Sequence, residues 1–299
     1  MKRKKTGLTM IELLIVLAII ALLVGLLVPA LSTVRNIAKE TKQKAQLSAI
    51  EMALAAFKND YGDYPPSYTP VPGQPGGDYC GTQKLTEALI GWDLLGFHPK
   101  SAWRADGLDA LDGPGTYDPA QTRDFNGDGI PDTFDERKGP YLELATTNAF
   151  RLGYSAPNIR SGLYADTGPL APSTFVLCDV FSEQKVMMAN GTTAKAGAPI
   201  LYYKANTSGK QILDVYNMAD NDSLVFVREQ ANLIEDPPGP GEVLPRNKLA
   251  STIAFFENYI TDPKITARPW PYRPDSYILI SAGADGLYGT SDDITNFGN

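Results

Sequence analysis

The chain has 299 residues, 27 Lys+Arg against 34 Asp+Glu, and a formal charge of −7. At 43% hydrophobic and 20% charged residues it has globular composition, which excludes a wholly disordered chain, and the acidic balance excludes nucleic acid as a main partner. Two cysteines, Cys80 and Cys178, and one histidine, His98, exclude a disulfide scaffold or an all-cysteine zinc site and leave little for Ser-His-Asp or Cys-His catalysis. No catalytic residue is assigned, and an enzyme is not expected.

Residues 1–7 hold four basic groups and no acid. Leu8-Thr9-Met10-Ile11-Glu12 follows, and then Leu13–Leu31, an uncharged apolar run. As a helix at 1.5 Å per residue this run covers roughly 28 Å, about a bilayer core. It predicts a single membrane span over 13–31, and the basic cluster predicts a cytoplasmic amino terminus. A cleaved secretory signal fits less well. The run is too long, the chain beyond it continues as helix without a small-residue cleavage site, and Glu12 stands at its start. A carboxylate drawn into an apolar layer calls for a partner, because burying it alone costs roughly 2.5–3.5 kcal/mol.

Lys4-Lys5-Thr6-Gly7 followed by Leu8-Thr9-Met10-Ile11-Glu12-Leu13-Leu14 resembles the class III leader of type IV pilins and type II secretion pseudopilins. The resemblance covers roughly the first 60 residues. It implies that a prepilin peptidase cuts between Gly7 and Leu8 and methylates the amino group of Leu8, where the family usually has Phe. It also makes Glu12 the fifth residue of the mature chain. There a glutamate can pair with a neighbouring subunit's amino terminus and fix the register of assembly.

Leu47, Ile50, Leu54 and Phe57 form one helical stripe, so a long helix is predicted over 8–60, apolar first and amphipathic later. Gly25 and Pro29 predict a kink, and Gly62, Pro65 and Pro66 end the helix. Residues 61–299 are expected to form one globular domain. A helix is predicted over 84–95, a long insertion over about 100–140 (Asp106–Pro140 at its centre), a short helix over 251–259, and strands over 174–180, 185–189, 199–204 and 276–281. The expected fold is α+β: a long amino-terminal helix packed on an antiparallel sheet domain, as in pilins.

Two acidic loops suggest hard-cation sites. Asp124, Asn126, Asp128 and Asp132 alternate around Gly129, with Asp135 beyond. The spacing resembles EF-hand-like calcium loops, with Asp where an EF-hand ends in Glu. Near the carboxy terminus, Asp285, Asp292 and Asp293 flank a glycine-bearing turn, and adjacent like charges call for a cation or base nearby. This second loop resembles the calcium loop that ends the major pseudopilin, which implies Ca²⁺ as a structural ion. Cys80 and Cys178 could form a disulfide outside the cytoplasm. His98 reads as a surface or packing residue.

The expected role is a structural subunit of a pilus-like filament, most similar to the major pseudopilin that acts in export of folded proteins. Its partners would be itself, other pseudopilins, prepilin peptidase and the inner-membrane assembly machinery. Its place would be the inner membrane with a periplasmic domain. The alternatives are a type IV pilin or minor pilin with a calcium-dependent adhesive domain, and, from another class, an anchored enzyme with a pocket of perturbed acids. The length is a departure, since the major pseudopilin family is about half as long.

Overall fold

Leu47, Ile50, Leu54 and Phe57 are between 0 and 3% exposed, so the stripe read from the sequence is a packed face. They lie on helix α1, Met10–Tyr61. The computed structural model describes residues 10–68, 77–107, 116–117, 134, 136–144, 147–154, 161–181, 184–188, 191–235 and 246–298, without the side chains of 26–30, 32 and 232–235. The chain divides into two compact units, Met1–Lys42 and Gln43–Asn299.

In the first unit, α1 is continuous through Gly25 and Pro29. Its apolar residues from Met10 to Val24 are exposed on all faces, from Val16 at 49% to Met10 at 81%. A helix apolar all round has no water-facing side and needs an apolar environment to cover it. Among the described residues no helix is long and apolar enough to cross a membrane, and part of the span expected over 13–31 lies outside the described side chains.

The second unit is α+β. Its central sheet is antiparallel, with β6 (Tyr277–Ser281) between β5 (Leu201–Lys204) and β7 (Ile294–Thr295). Leu201 faces Ile280 across the ladder, and Ser281 faces Ile294. Every residue of β6 is buried because both faces of the sheet are covered, which explains its unbroken apolar run. On one face Tyr202, Tyr277, Leu279 and Ile294 join Leu47, Ile50, Leu54 and Phe57 of α1 and Leu85, Ala88 and Leu89 of α2 (Gly81–Ile90). On the other, Tyr203, Ile278 and Ile280 meet Val215 of α3 (Ile212–Val215), Leu224 and Val225 of α4 (Asp222–Glu235), and Phe256 and Ile260 of α5 (Ile253–Ile260). Two hairpin-like pairs complete the unit: β1 (Ala149–Arg151) with β2 (Phe175–Leu177), and β3 (Gln184–Met187) with β4 (Thr193–Ala196).

All ten residues of α2 are buried. Gly81 opens it where a Cβ would stand 2.5 Å from the Tyr202 carbonyl oxygen, so no larger residue fits. The helix ends at Ile90, ahead of the expected 95, because Gly91 turns the backbone to φ 90° and its N–H donates to the Glu87 carbonyl at 2.8 Å. Its polar residues find internal partners. Glu87 accepts from Ser101 Oγ at 2.5 Å and from the Tyr117 hydroxyl at 2.9 Å.

The possible disulfide between Cys80 and Cys178 is not formed in this structure. Cys80 and Cys178 are both free and buried. Each packs in the apolar cluster as a small hydrophobic residue, and burial pushes Cys80 up to about 12 and Cys178 well above the usual thiol range. His98 is a packing residue, 3% exposed, and burial lowers its pKa.

The described edges of the 100–140 insertion are anchored. Arg137 grips Asp93 with Nη1 at 2.9 and 2.7 Å from the two carboxylate oxygens, and Phe97 and Lys138 form a backbone bridge.

Candidate functional site

Three features were singled out by the sequence, the amino-terminal segment and the two acidic loops. Gly7 and Leu8 lie outside the described residues. Glu12 lies in the first turn of α1 and is exposed. The proposed ligands of the first acidic loop, Asp124, Asn126, Asp128, Asp132 and Asp135, also lie outside the described residues.

The second acidic loop is described throughout, and its geometry follows from the hairpin that carries it. β6 and β7 pair directly, so residues 282–293 form the connection between them. Gly283 takes φ 66°, and a Cβ there would meet the Asp292 carbonyl oxygen at 2.2 Å. This close approach folds Asp292 back over the start of the loop. Its Oδ2 accepts from the Asp285 N–H at 2.9 Å, and its Oδ1 accepts from Thr290 Oγ1 at 2.6 Å. Asp285 Oδ1 in turn accepts from the Leu287 N–H at 2.9 Å.

Asp293 is directed elsewhere. Its Oδ2 accepts from the Gly289 N–H at 2.8 Å and from the Tyr259 hydroxyl of α5. Its Oδ1 lies 3.4 Å from Thr290 Oγ1. Thr290 therefore touches both members of the Asp292–Asp293 pair.

The electrostatics follow this arrangement. Burial raises the Asp285 pKa, and the neighbouring Asp292 charge adds to the effect. Burial also pushes Asp292 up, but hydrogen bonds from Thr290 and the Asp285 amide outweigh it, and the net shift is down. Burial pushes Asp293 up to about 6 against the bonds from Tyr259 and Gly289. Three carboxylates thus gather in one loop, and among the described residues no basic side chain bonds to them.

Oxygen donors of this kind suit a hard cation such as Ca²⁺. As placed, the set is incomplete. Among the described residues no group of three or more His, Cys, Asp or Glu side chains is arranged to hold a metal ion. Asp285 and Asp292 face one another, while Asp293 is held by Tyr259 and Gly289.

Sequence reasoning missed the residues that support the loop. Arg228 of α4 is 2% exposed, and its Nε donates to the Gly286 carbonyl at 2.8 Å. Asn247 accepts from the Tyr288 N–H at 2.8 Å, and the Tyr288 hydroxyl donates to the Pro199 carbonyl at 2.5 Å. The available signal was the Leu224-Val225-Phe226-Val227 run, whose helical period continues only if Arg228 is allowed on the buried face.

Residues 2–28 match the family model of the prokaryotic N-terminal methylation motif. The chain carries that motif. It is also similar to type II secretion system core protein G of Pseudomonas aeruginosa, at 31% identity over 106 residues. The aligned part is 36% of this chain and 63% of the relative, so the chain spans less than two thirds of the curated relative it matches. No solved structure matches the chain.

Proposed function

We propose that the chain is a pilin-like subunit of a type II secretion filament, a pseudopilin acting in export of folded proteins across the outer membrane. The observation that carries this reading is the leader itself, the basic segment, Gly7-Leu8, Glu12 and the apolar helix, in a region matched by the methylation motif. The similarity to a protein named as a core component of type II secretion supports the choice of filament. In this reading prepilin peptidase of the inner membrane cuts between Gly7 and Leu8 and methylates Leu8. The apolar part of α1 holds the subunit in the membrane, carboxy-terminal domain in the periplasm, until assembly. The all-round exposure of its apolar residues supports a role that ends in packing against other helices.

Glu12 then pairs with the amino terminus of an adjacent subunit. Glu12→Ala should leave the amount of membrane-bound protein unchanged and remove it from sheared or pelleted filaments. Equal incorporation of the variant would dismiss this role for Glu12.

Calcium belongs to the same reading. Asp285, Asp292 and Asp293 would hold it, and its charge would offset their mutual repulsion. The carboxylate pair Asp285–Asp292 and the shared contact of Asp292 and Asp293 with Thr290 support the assignment. Asp124, Asn126, Asp128, Asp132 and Asp135 make a second calcium loop in the insertion.

One observation favours a second reading. The aligned region is 63% of the relative but only 36% of this chain, so this chain carries much additional sequence. A type IV or minor pilin that displays a calcium-dependent binding domain would use that sequence.

A further inference from the structure

Helix α1 carries a second feature directly beyond its apolar run. Arg35, Lys39 and Lys42 follow one another at spacings of four and three residues, so they form one basic stripe along the helix, and all three are exposed. Like charges at these spacings repel, and the acid in the same stretch does not relieve them. Glu40 stands one residue from Lys39 and two from Lys42, spacings that turn side chains to different faces, and four residues from Lys44. Among the described residues neither Arg35 nor Lys42 forms an ion pair. The stripe is a basic face in a chain of net charge −7.

Its position points to its partner. The stripe begins four residues after Leu31, where the apolar run ends, and the helix is unbroken between them. At 1.5 Å per residue Arg35 stands about 6 Å beyond Leu31, Lys39 about 12 Å and Lys42 about 16.5 Å. The headgroup layer of a bilayer extends roughly 5–7 Å beyond each side of its apolar core. Helical side chains lean toward the amino terminus, which here is back toward the apolar run. Arg35 therefore reaches into such a layer, and the lean of their long stems brings Lys39 and Lys42 within a Debye length, about 8 Å, of it. Val34, 61% exposed, carries the apolar surface into the same turn as Arg35.

We propose that this stripe docks on anionic lipid headgroups, with Arg35 in the headgroup layer and Lys39 and Lys42 at its surface. The inference rests on the proposed placement of the apolar part of α1 in the membrane. No Lys or Arg lies between Gly7 and Arg35, so in a chain cut after Gly7 the stripe is the basic group nearest the apolar run. It then holds the helix against sliding toward the cytoplasm.

The test uses the full chain reconstituted in mixed phosphatidylcholine–phosphatidylglycerol vesicles, with a fluorophore on an Ala38→Cys variant. Ala38 is exposed, three residues from Arg35 and four from Lys42, and Cys80 and Cys178 are buried, so the label goes to the new thiol. The same spin-labelled acyl chain is carried by one lipid or the other as quencher. This local readout leaves out the lysines of the leader, at the far end of the apolar run. Quenching should be roughly threefold stronger when phosphatidylglycerol carries the spin label, and the preference should vanish in about 1 M salt. Combining Arg35→Gln, Lys39→Gln and Lys42→Gln should abolish it, and Lys44→Gln, off the stripe, should keep it. Flotation of the chain with pure phosphatidylcholine vesicles tests the membrane placement separately. Flotation with equal quenching by both lipids, or a preference that survives the triple substitution, would overturn this inference alone. A preference lost on dilution to one chain per vesicle would also overturn it and assign the stripe to another copy. Absence of flotation would overturn both readings.

Discussion

Glu87 shows how single residues set the behaviour of the globular unit. It sits on a fully buried helix and is held by Ser101 and Tyr117. Burial raises its pKa, and this outweighs the bonds from Ser101, Tyr79 and Tyr117 and the attraction of Lys84. The folded state therefore holds the Glu87 proton more tightly than the unfolded chain does. The resulting stability is fully present below the unfolded value near 4.5 and is lost as pH rises through the raised folded value. Asp220, pushed up to about 6 by burial, acts in the same direction. Glu87→Gln keeps the shape and an acceptor for Ser101 and Tyr117. Urea unfolding of this variant should show a shallower loss of stability than the wild type as pH rises above about 4.5. An unchanged slope would mean that the Glu87 proton is not bound differently on folding.

At the scale of elements, the legible parts of the sequence were those with a period. The stripe Leu47, Ile50, Leu54 and Phe57 predicted the packed face of α1, and the β-branched and aromatic runs around Leu201 and Tyr277 predicted β5 and β6. α2 was displaced because a helix buried on all sides has no amphipathic pattern, so only Gly81 and Gly91 mark its ends. α4 was hidden by Arg228 on its buried face, and β4 by a polar Thr-Ala-Lys-Ala sequence on a largely exposed hairpin. The acidic loop was visible in the sequence as a cluster of aspartates, but its supports Arg228, Asn247 and Tyr259 lie far away in sequence.

Two predictions belong to this scale. Leu54 is 0% exposed in the core shared by α1, α2 and the sheet, so Leu54→Ala should cost about 2–5 kcal/mol of stability, measured by urea unfolding. Met52, 68% exposed on the same helix, should change by less than about 0.5 kcal/mol on replacement by Ala. For the loop, a ligand at a hundred times its dissociation constant stabilises by about 2.7 kcal/mol. Millimolar Ca²⁺ should therefore raise Tm by several degrees, and Asp292→Asn should remove most of that rise. Identical melting with Ca²⁺ and with chelator would remove this loop from the list of calcium sites.

At the scale of the whole molecule, the globular unit has its own two-faced core, and the amino-terminal part of α1 has none. The core of the globular unit is closed by α1, α2, α4 and α5 on the two faces of one sheet, so this unit has what it needs to be stable in water. The helical residues from Met10 to Val24 present apolar side chains on every face, and their stability has to come from surroundings other than water. A subunit that waits in a membrane and then packs into a filament meets both conditions. In the proposed function the leader would separate the two states, its basic residues holding the chain at the cytoplasmic face until prepilin peptidase removed them.

The most direct test of this account is the intact mass and amino-terminal sequence of the protein recovered from membranes, with and without co-expressed prepilin peptidase. The account predicts a chain that begins at N-methylated Leu8 only when the peptidase is active. A chain that keeps Met1–Gly7 beside active peptidase, or one cut beyond Leu31, would contradict it.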